Sequence, residues 1–519
     1  MPLSECTRAC ASLARALHIV DSIAGSSYVV GGFVRDSLLG RIARDIDIVV
    51  PGDPFAVAQQ VARELGGSFV PLDQKHCIAR VVVTSRPNAE SGSVASRPDS
   101  LVMDFARYEG GIEEDLARRD FTINAIAVPT SVVATRLSGP VAISGDFGDS
   151  AVDPLQGLRD LAEGRLRACG SHAFTEDPGR LLRAVRLARE LGFGIASSTE
   201  SAIREHAHLV SQVAAERTRE ELLKLLSLPG ADSGIRDLDR LGLLVQVFPE
   251  LETCRDVAQP TSHFWDVLEH SIQTVATFEF VTGESDWRFG NDEMLESVPG
   301  DAACEAYLAG PVSAEASRAT LTKLACLLHD IAKPQTKSLD DSGRARFLGH
   351  AQEGASLVTD ILQRLRFSTQ ETAYVATLVC HHLRPSQMSA EGMPSRRAVY
   401  RFFRDTSSAG IGVLHLAMAD YLACRGPLFT MMEWANVCGL IDFIMQEHMR
   451  QEATIAPSKI IDGRELMRVL GMPPGPAVGM LLESIREAQA AGLVDSRDDA
   501  LNLARRTVES EHFTVRTSK

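Results

Sequence analysis

Tyr28-Val29-Val30-Gly31-Gly32-Phe33-Val34-Arg35-Asp36 runs through Leu38-Leu39-Gly40-Arg41 into Asp45-Ile46-Asp47-Ile48-Val49-Val50. The stretch reads as a strand over 28–30, a glycine turn, a short helix and a second strand with alternating carboxylates. Residues i and i+2 of a strand point to one side, so Asp45 and Asp47 are predicted to grip the same metal ions while Ile46 and Ile48 face a core. Gly31 and Gly32 let the backbone come close to a ligand. The helix after them presents free N–H groups and a positive dipole end to phosphate. A Gly-Gly turn is common by itself, and an Asp-x-Asp at a strand end often only solvates an edge. Joined in one strand-turn-helix-strand unit, they point to chemistry on a nucleotide's phosphates.

Further motifs follow in order. Leu101-Val102-Met103-Asp104-Phe105 offers a third carboxylate on a strand, or simply an acid at the end of a buried one. Arg118-Arg119-Asp120-Phe121-Thr122-Ile123-Asn124-Ala125 sets two arginines beside an acid and an amide, which suits a phosphate and a ribose hydroxyl together; a salt bridge with a cap gives the same letters. Asp153-Pro154-Leu155-Gln156-Gly157 reads as a turn entering a helix. Glu176-Asp177-Pro178-Gly179-Arg180-Leu181-Leu182-Arg183 puts two acids and a forked donor at a helix start. Such a set can match the Watson–Crick edges of cytosine and adenine, and an N-cap with an i, i+3 ion pair would leave the same pattern. Ala215-Glu216-Arg217-Thr218-Arg219-Glu220-Glu221-Leu222 reads as helix-surface ion pairing.

Taken together, these motifs resemble the signature of class II nucleotidyltransferases, the family of tRNA CCA-adding enzymes and bacterial poly(A) polymerases. The resemblance implies an α+β nucleotidyltransferase head, a small mixed sheet with helices, followed by all-α neck, body, HD and tail regions. It implies Mg2+ held at Asp45 and Asp47, with Asp104 as the third catalytic acid. Gly31, Gly32, Arg35, Arg118, Arg119, Asp120, Asn124, Asp177, Arg180 and Arg183 would bind the nucleotide, Arg119 at phosphate, Asp120 and Asn124 at the 2′-hydroxyl, Asp177 and Arg180 at the base. The implied partners are the tRNA 3′ end, CTP and ATP, and the implied reaction is addition of CCA or part of it. Poly(A) synthesis, A-only addition and a hydrolase with a nucleotide-sensing head are the alternatives.

At 519 residues the chain is too long for one core and is expected to divide into several domains. The expected boundaries are a head over 1–150, a helical neck and body over 151–255, an HD-type domain over 256–425 with an insertion near 283–315, and a helical tail over 426–519 that contacts tRNA. Strands are predicted at 28–30, 46–50, 78–84, 101–105 and 123–128, a helix at 54–65, and a loop over 85–100. From about 155 onward strand signals give way to helical periodicity. No apolar run reaches the roughly 18 residues of a membrane span, so a cytoplasmic protein with no membrane partner is expected. Its ten cysteines include no Cys-x-x-Cys pair; Cys6 and Cys10 lie a helical turn apart, and Cys326 and Cys380 read as core thiols. A formal charge of −15 excludes a protein that coats nucleic acid indiscriminately. A local basic zone, Arg159, Arg165, Arg167, Arg180, Arg183, Arg186, Arg189, Arg204, Arg217, Arg219 and Lys224, is the expected RNA face.

The C-terminal half carries a second constellation: His263 and His270, Leu328-His329-Asp330-Ile331-Ala332-Lys333, Gly349-His350, His381-His382 and Asp420. Imidazoles and carboxylates from separate helices are how a bundle assembles a dinuclear metal site. The pattern resembles the HD phosphohydrolase superfamily, which implies a divalent metal of the Ni2+, Mn2+ or Fe2+ class at His270, His329, Asp330, His350, His381, His382 and Asp420, with either neighbour of the His381-His382 pair as the ligand. Hydrolysis of phosphate esters at RNA 3′ ends is the implied use.

Overall fold

Asp53 accepts a hydrogen bond from the Phe55 amide at 2.9 Å, and Pro54 opens the helix Pro54–Leu65, which stops at Gly66 with φ 65°. This is the start and stop chemistry expected of an N-cap acid, an N1 proline and a left-handed glycine. The structure, a computed structural model, describes residues 3–41, 45–75, 77–84, 100–137, 147–260, 263–390, 392–455 and 460–509. They fall into two compact units, Met1–Val213 and Ala214–Lys519.

The first unit is built on a mixed six-stranded sheet in the order β3-β4-β5-β2-β1-β6. The strands are β1 (Tyr28–Val30), β2 (Asp45–Val50), β3 (Ser68–Asp73), β4 (Ile78–Thr84), β5 (Ser100–Arg107) and β6 (Ala127–Pro129). β2 and β5 run parallel, and the other neighbours are antiparallel. One face is apolar: Ile46, Ile48, Ala79, Val81, Met103 and Phe105 are all buried. The period of two therefore sends the interleaved residues Asp45, Asp47, Arg80 and Asp104 to the opposite face.

Two expectations change here. The strand expected over 123–128 is shorter and later, because Thr122–Asn124 closes a 3-10 turn before β6. β3 was not anticipated; its mostly exposed edge pattern carries no clean alternation. Most of the expected 85–100 loop lies outside the described residues, while Ile78–Thr84 is a strand as expected.

The second unit is helical, with one addition: a hairpin of Lys337–Leu339 with Ala345–Phe347 lies in a stretch read as helical. Its central helix, Val267–Val281, is buried over most of its surface, including the polar residues His270, Ser271, Thr274, Thr277 and Glu279. Glu279 pairs with Lys323 at 2.7 Å, the two side chains being 0% and 1% exposed. Glu279 also accepts from the Gly230 and Ala231 amides at 2.9 and 3.0 Å, which caps the helix Ala231–Arg240. Burial still holds its carboxyl above the ordinary value against the pull of Lys323.

The stretch read as a surface insertion is not a loose loop. It forms helices Asp292–Glu296 and Ala302–Ala309 and buries Trp287, Met294 and Leu308, while the Trp434 indole N–H donates to the Met294 carbonyl at 3.0 Å. Gly and Pro mark its turns, but its apolar residues are too sparse for a periodic signal. At the far end, Asp462 caps Gly463–Leu470, and Leu466, Leu481, Ile485, Ala500 and Leu501 share a small core. Arg397, Arg401 and Arg404 all reach the nearly buried carboxylate of Glu487. No helix among the described residues is long and apolar enough to cross a membrane.

Candidate functional site

In the first unit the parallel register sets Asp47 directly opposite Asp104, and the antiparallel register sets Arg80 opposite Asp104. Asp45, Asp47 and Asp104 thus line one face of adjacent strands, and all three retain solvent exposure. Gly31 closes against them. Its φ is +75°, and a Cβ there would stand 2.6 Å from Asp47 Oδ2, so only glycine lets the turn meet that carboxylate. Burial, with Asp104 and Asp45 against Arg119 and Arg183, holds Asp47 above the ordinary carboxylate range.

These observations fit a hard divalent cation. Three carboxylates share one sheet face, and a glycine cradle holds one of them. Asp104 is the exception to free access. Arg80 forks onto it through Nε and Nη2 at 2.8 Å each, a bidentate pair that sequence reasoning did not connect. The matching side-chain parity of β4 and β5 was the available signal. Consistent with that fork, the donor groups within 4.8 Å of one another among the described residues all lie in the second unit.

Behind the acids runs a hydrogen-bonded relay. Arg35 is 6% exposed and forks onto Asp36 at 2.8 and 2.9 Å, with Nη1 donating to Asn124 Oδ1 at 2.9 Å. Asn124 donates to Asp120 at 3.1 Å, and Asp120 meets Arg183 at 2.8 Å. The relay therefore ties the glycine turn to the Arg118–Ala125 motif and to the helix Arg180–Leu191. Arg35 is held inside it and supports the turn from behind.

Arg119 donates to Asp115 at 3.0 Å, and its other terminal nitrogen lies 3.5 Å from where a Gly31 Cβ would be, on the same side as Asp47. Arg118 is exposed. Arg180 is aimed by carbonyls, donating to Arg118 at 2.9 Å and Ala173 at 3.2 Å, and Asp177 accepts from the Gly179 amide at 3.0 Å. Sequence reasoning missed Asp160, which is 1% exposed and accepts from Thr122 at 2.6 Å and Arg167 at 2.8 Å. A Cβ on Gly157 would lie 2.1 Å from the Thr122 carbonyl. The Asp153 turn is thus pressed onto the Arg118–Ala125 motif.

Much of the expected basic RNA face is neutralised. Within the first unit, Arg159 and Arg165 pair with Glu163, Arg167 with Asp160, Arg186 with Glu190 and Arg204 with Glu200. In the second, Arg219 pairs with Glu315 and Lys224 with Glu220. Four of these seven pairs have the helical i, i+4 spacing.

The second unit brings His270, His329, Asp330, His350, His382 and Asp420 together. His270 Nε2 lies 3.3 Å from Asp330 and 3.0 Å from Asp420, His329 Nε2 3.2 Å from Asp330, and His350 Nε2 3.2 Å from Asp330. The Nδ1 atoms of His329, His350 and His382 each face the carbonyl three residues earlier at 2.7–2.8 Å. That partner fixes the N–H on Nδ1 and turns the Nε2 lone pair inward, as metal-binding imidazoles require. Asp330 Oδ1 and His350 Nε2 are buried without a hydrogen-bond partner, orphan donor atoms that a metal would use.

His381 is not part of this group. Successive helical residues point about 100° apart, so when His382 faces the cluster its neighbour turns away. Cys380 likewise is half-buried beside His381 rather than in the core, whereas Cys326 is buried. Burial opposes charge on His329, yet Asp330 and Asp420 push it up to about 10; Asp330 is held well below the carboxylate range by His329 and Lys333. Burial pushes His382 down to about 3. Lys333 Nζ sits 2.5 Å from Asp330, a contact that the i, i+3 spacing from Asp330 could have signalled.

Comparison with known proteins follows the same division. Residues 27–167 match the poly A polymerase head domain, 192–254 the probable RNA and SrmB-binding site of polymerase A, and 303–423 the HD domain. The chain is 32% identical to the CC-adding tRNA nucleotidyltransferase of Thermus thermophilus, over 91% of this chain and 92% of that one. It is 32% identical to the A-adding tRNA nucleotidyltransferase of Deinococcus radiodurans, over 93% and 95%. A solved CCA-adding enzyme in complex with ATP superposes with a TM-score of 0.60 at 22% identity, covering 96% and 95% of the two chains. The chain belongs to the tRNA nucleotidyltransferase and poly(A) polymerase family.

Proposed function

We propose that this protein adds CCA, or part of it, to the 3′ end of tRNA from CTP and ATP. The observation that carries the reading is the convergence of Asp45, Asp47 and Asp104 on one sheet face, against a glycine turn and beside Arg119. Asp45 and Asp47 would hold Mg2+, with Asp104 joining them as Arg80 yields. Bound there, magnesium supplies Lewis-acid stabilisation of the reacting phosphate and lowers the pKa of the attacking hydroxyl. Arg119 neutralises phosphate charge at the Asp47 side of the turn. Asp120 and Asn124, held by the relay, meet the ribose, and Asp177 with Arg180 offers acceptor and donor edges to the base. The proposed division of labour is a head over 1–150, a neck and body over 151–255, an HD-type domain over 256–425 and a tRNA-contacting tail over 426–519.

Likeness to a CC-adding and to an A-adding relative is equal in identity, so the number and kind of nucleotides added are settled by assay. Purified protein is incubated with tRNA ending before CCA, after C and after CC, with CTP and ATP separately and together. Discrete addition of one to three nucleotides is expected. Long tracts from ATP alone would instead establish poly(A) synthesis, and no incorporation would end the transferase reading.

The buried His/Asp cluster favours a second activity, hydrolysis of phosphate esters by a divalent metal of the Ni2+, Mn2+ or Fe2+ class. His270, His329, Asp330, His350, His382 and Asp420 would hold it. Release of phosphate from RNA ends that depends on added metal, and survives Asp45→Ala, is the expected result.

A further inference from the structure

One row of the six-stranded sheet carries opposite charges side by side. Register places Arg80 of β4 next to Asp104 of β5, Asp104 next to Asp47 of β2, and Asp47 next to Val30, the residue before the glycine turn. Residues sharing a row stand about 4.8 Å apart per strand, so Arg80 is one spacing from Asp104 and two from Asp47. Both Asp104 oxygens are taken by this one side chain, Oδ1 by Nε and Oδ2 by Nη2, at 2.8 Å each. The hydrogen bonds to Asp104 hold the Arg80 guanidinium above its ordinary pKa against the cost of burial, and the charges of Asp45 and Asp47 add to the effect. Arg80 is thus a counter-cation to all three acids.

Two other arginines near the acids are paired outside the triad, Arg119 with Asp115 at 3.0 Å and Arg183 with Asp120 at 2.8 Å. Arg80 differs in holding a carboxylate that a metal would use. Its fork is the geometrically specific form of an ion pair. The two side chains are nevertheless 41% and 24% exposed, and ion pairs open to water hold weakly. Such a pair is selective in geometry and readily exchanged. A triphosphate offers the same forked oxygens with more charge than one carboxylate, and guanidinium is the side chain that matches them.

We propose that Arg80 couples metal entry to nucleotide entry. Without nucleotide its guanidinium occupies Asp104 and withholds the third acid from a divalent cation. When a nucleoside triphosphate arrives, Arg80 transfers its fork to the terminal phosphates, and Asp104 is freed to join Asp45 and Asp47. The inference rests on the transferase reading above and adds to it the order in which the site loads. Coupling of this kind is reciprocal: nucleotide tightens metal by the factor with which metal tightens nucleotide.

The test uses the full chain, Mn2+ as the metal, and a CTP analogue with a methylene bridge between its α and β phosphates, with no tRNA present. Mn2+ is titrated by electron paramagnetic resonance, and binding in the first unit is the part that Asp47→Ala removes. Arg80→Met and Arg80→Lys are compared with the parent, each checked for an unchanged melting temperature. In Arg80→Met, Mn2+ without nucleotide is expected to bind about tenfold more tightly, and the analogue on Mn2+-loaded protein about tenfold more weakly. Cytidine monophosphate, which lacks the terminal phosphates, should bind Arg80→Met as it binds the parent. Arg80→Lys keeps the charge and loses the fork, so it too should take up Mn2+ more tightly than the parent.

Mn2+ binding in Arg80→Met no tighter than in the parent would show that the fork bars no metal, and would overturn the proposal. Tighter binding in Arg80→Met with none in Arg80→Lys is what charge alone would produce, and would overturn it as well. An unchanged affinity for the analogue, or an equal loss for cytidine monophosphate, would rule out transfer to the terminal phosphates and the proposal with it. Absence of any Mn2+ and analogue binding that Asp47→Ala removes would instead end the transferase reading on which the coupling rests.

Discussion

The two acid sites of this protein solve one electrostatic problem in opposite ways. In the first unit the carboxylates sit on adjacent strands, reachable by solvent, with ion-paired arginines as neighbours. In the second, Asp330 is 1% exposed, three imidazoles are held by the carbonyls three residues before them, and an ammonium stands at 2.5 Å. An open site suits a cation that keeps its waters and exchanges with the nucleotide, as magnesium does. A closed site with nitrogen donors suits a transition metal. Openness, rather than the number of acids, would separate a site that loads with its substrate from one that is loaded beforehand.

The sharpest way to break that contrast is to remove one acid of the open site. Asp47→Ala is expected to cost several kcal/mol of transition-state stabilisation, a drop of about a thousandfold or more in tRNA tailing. Hydrolysis by the closed site should be unaffected, and loss of both activities together would mean that the sites are not independent. Next in size is Lys323→Met, which strands Glu279 in the interior of the helices that carry His270 and His329. It should destabilise the protein by about 3–5 kcal/mol in denaturant unfolding, and Glu279→Leu in the same chain should restore much of that.

The His381-His382 pair sharpens the contrast within one turn of helix. His382→Gln should lower bound transition metal in mass-spectrometric metal analysis by roughly 10–100-fold, the range that loss of even a supporting partner brings, while His381→Gln should leave it unchanged. The smallest effect concerns charge outside both sites. Glu487 is held below the ordinary glutamate value: burial opposes this, and Arg401, Arg397 and Arg404 outweigh it. A carboxyl depressed in the folded state stabilises above its unfolded pKa, roughly 4.3, and that stability is lost as pH falls through the lower folded value. Glu487→Gln should therefore cost about 1 kcal/mol at neutral pH, because the arginines are half-exposed, and the difference from wild type should vanish in acid melts.

Legibility in the sequence followed the distance over which each feature is encoded. The alternation in Asp45-Ile46-Asp47-Ile48 is complete within four residues, and the structure reproduces its two faces. Pro54–Leu65 begins and ends on its own capping residues. Arg80 on Asp104 required the strand partner and register to be known, and β3 lacked an alternating face. Asp160 under Thr122 joins motifs 38 residues apart through a contact that no spacing announces. The order of histidines and acids revealed the second cluster, but choosing between His381 and His382 needed the rotation of one helix. Clustered arginines show the charge but not its partners: Glu163 and Glu190 stand one helical turn away, whereas Glu315 lies 96 residues off.

The side-chain relay from Asp36 through Arg35, Asn124 and Asp120 to Arg183 has a consequence for how this enzyme would tolerate change. The floor that would hold phosphate and the wall that would read the base are spliced into one girder, so neither can be retuned without shifting the other. Drift at Arg35, remote from any base, should surface as altered choice between cytidine and adenosine rather than as weaker uptake of both.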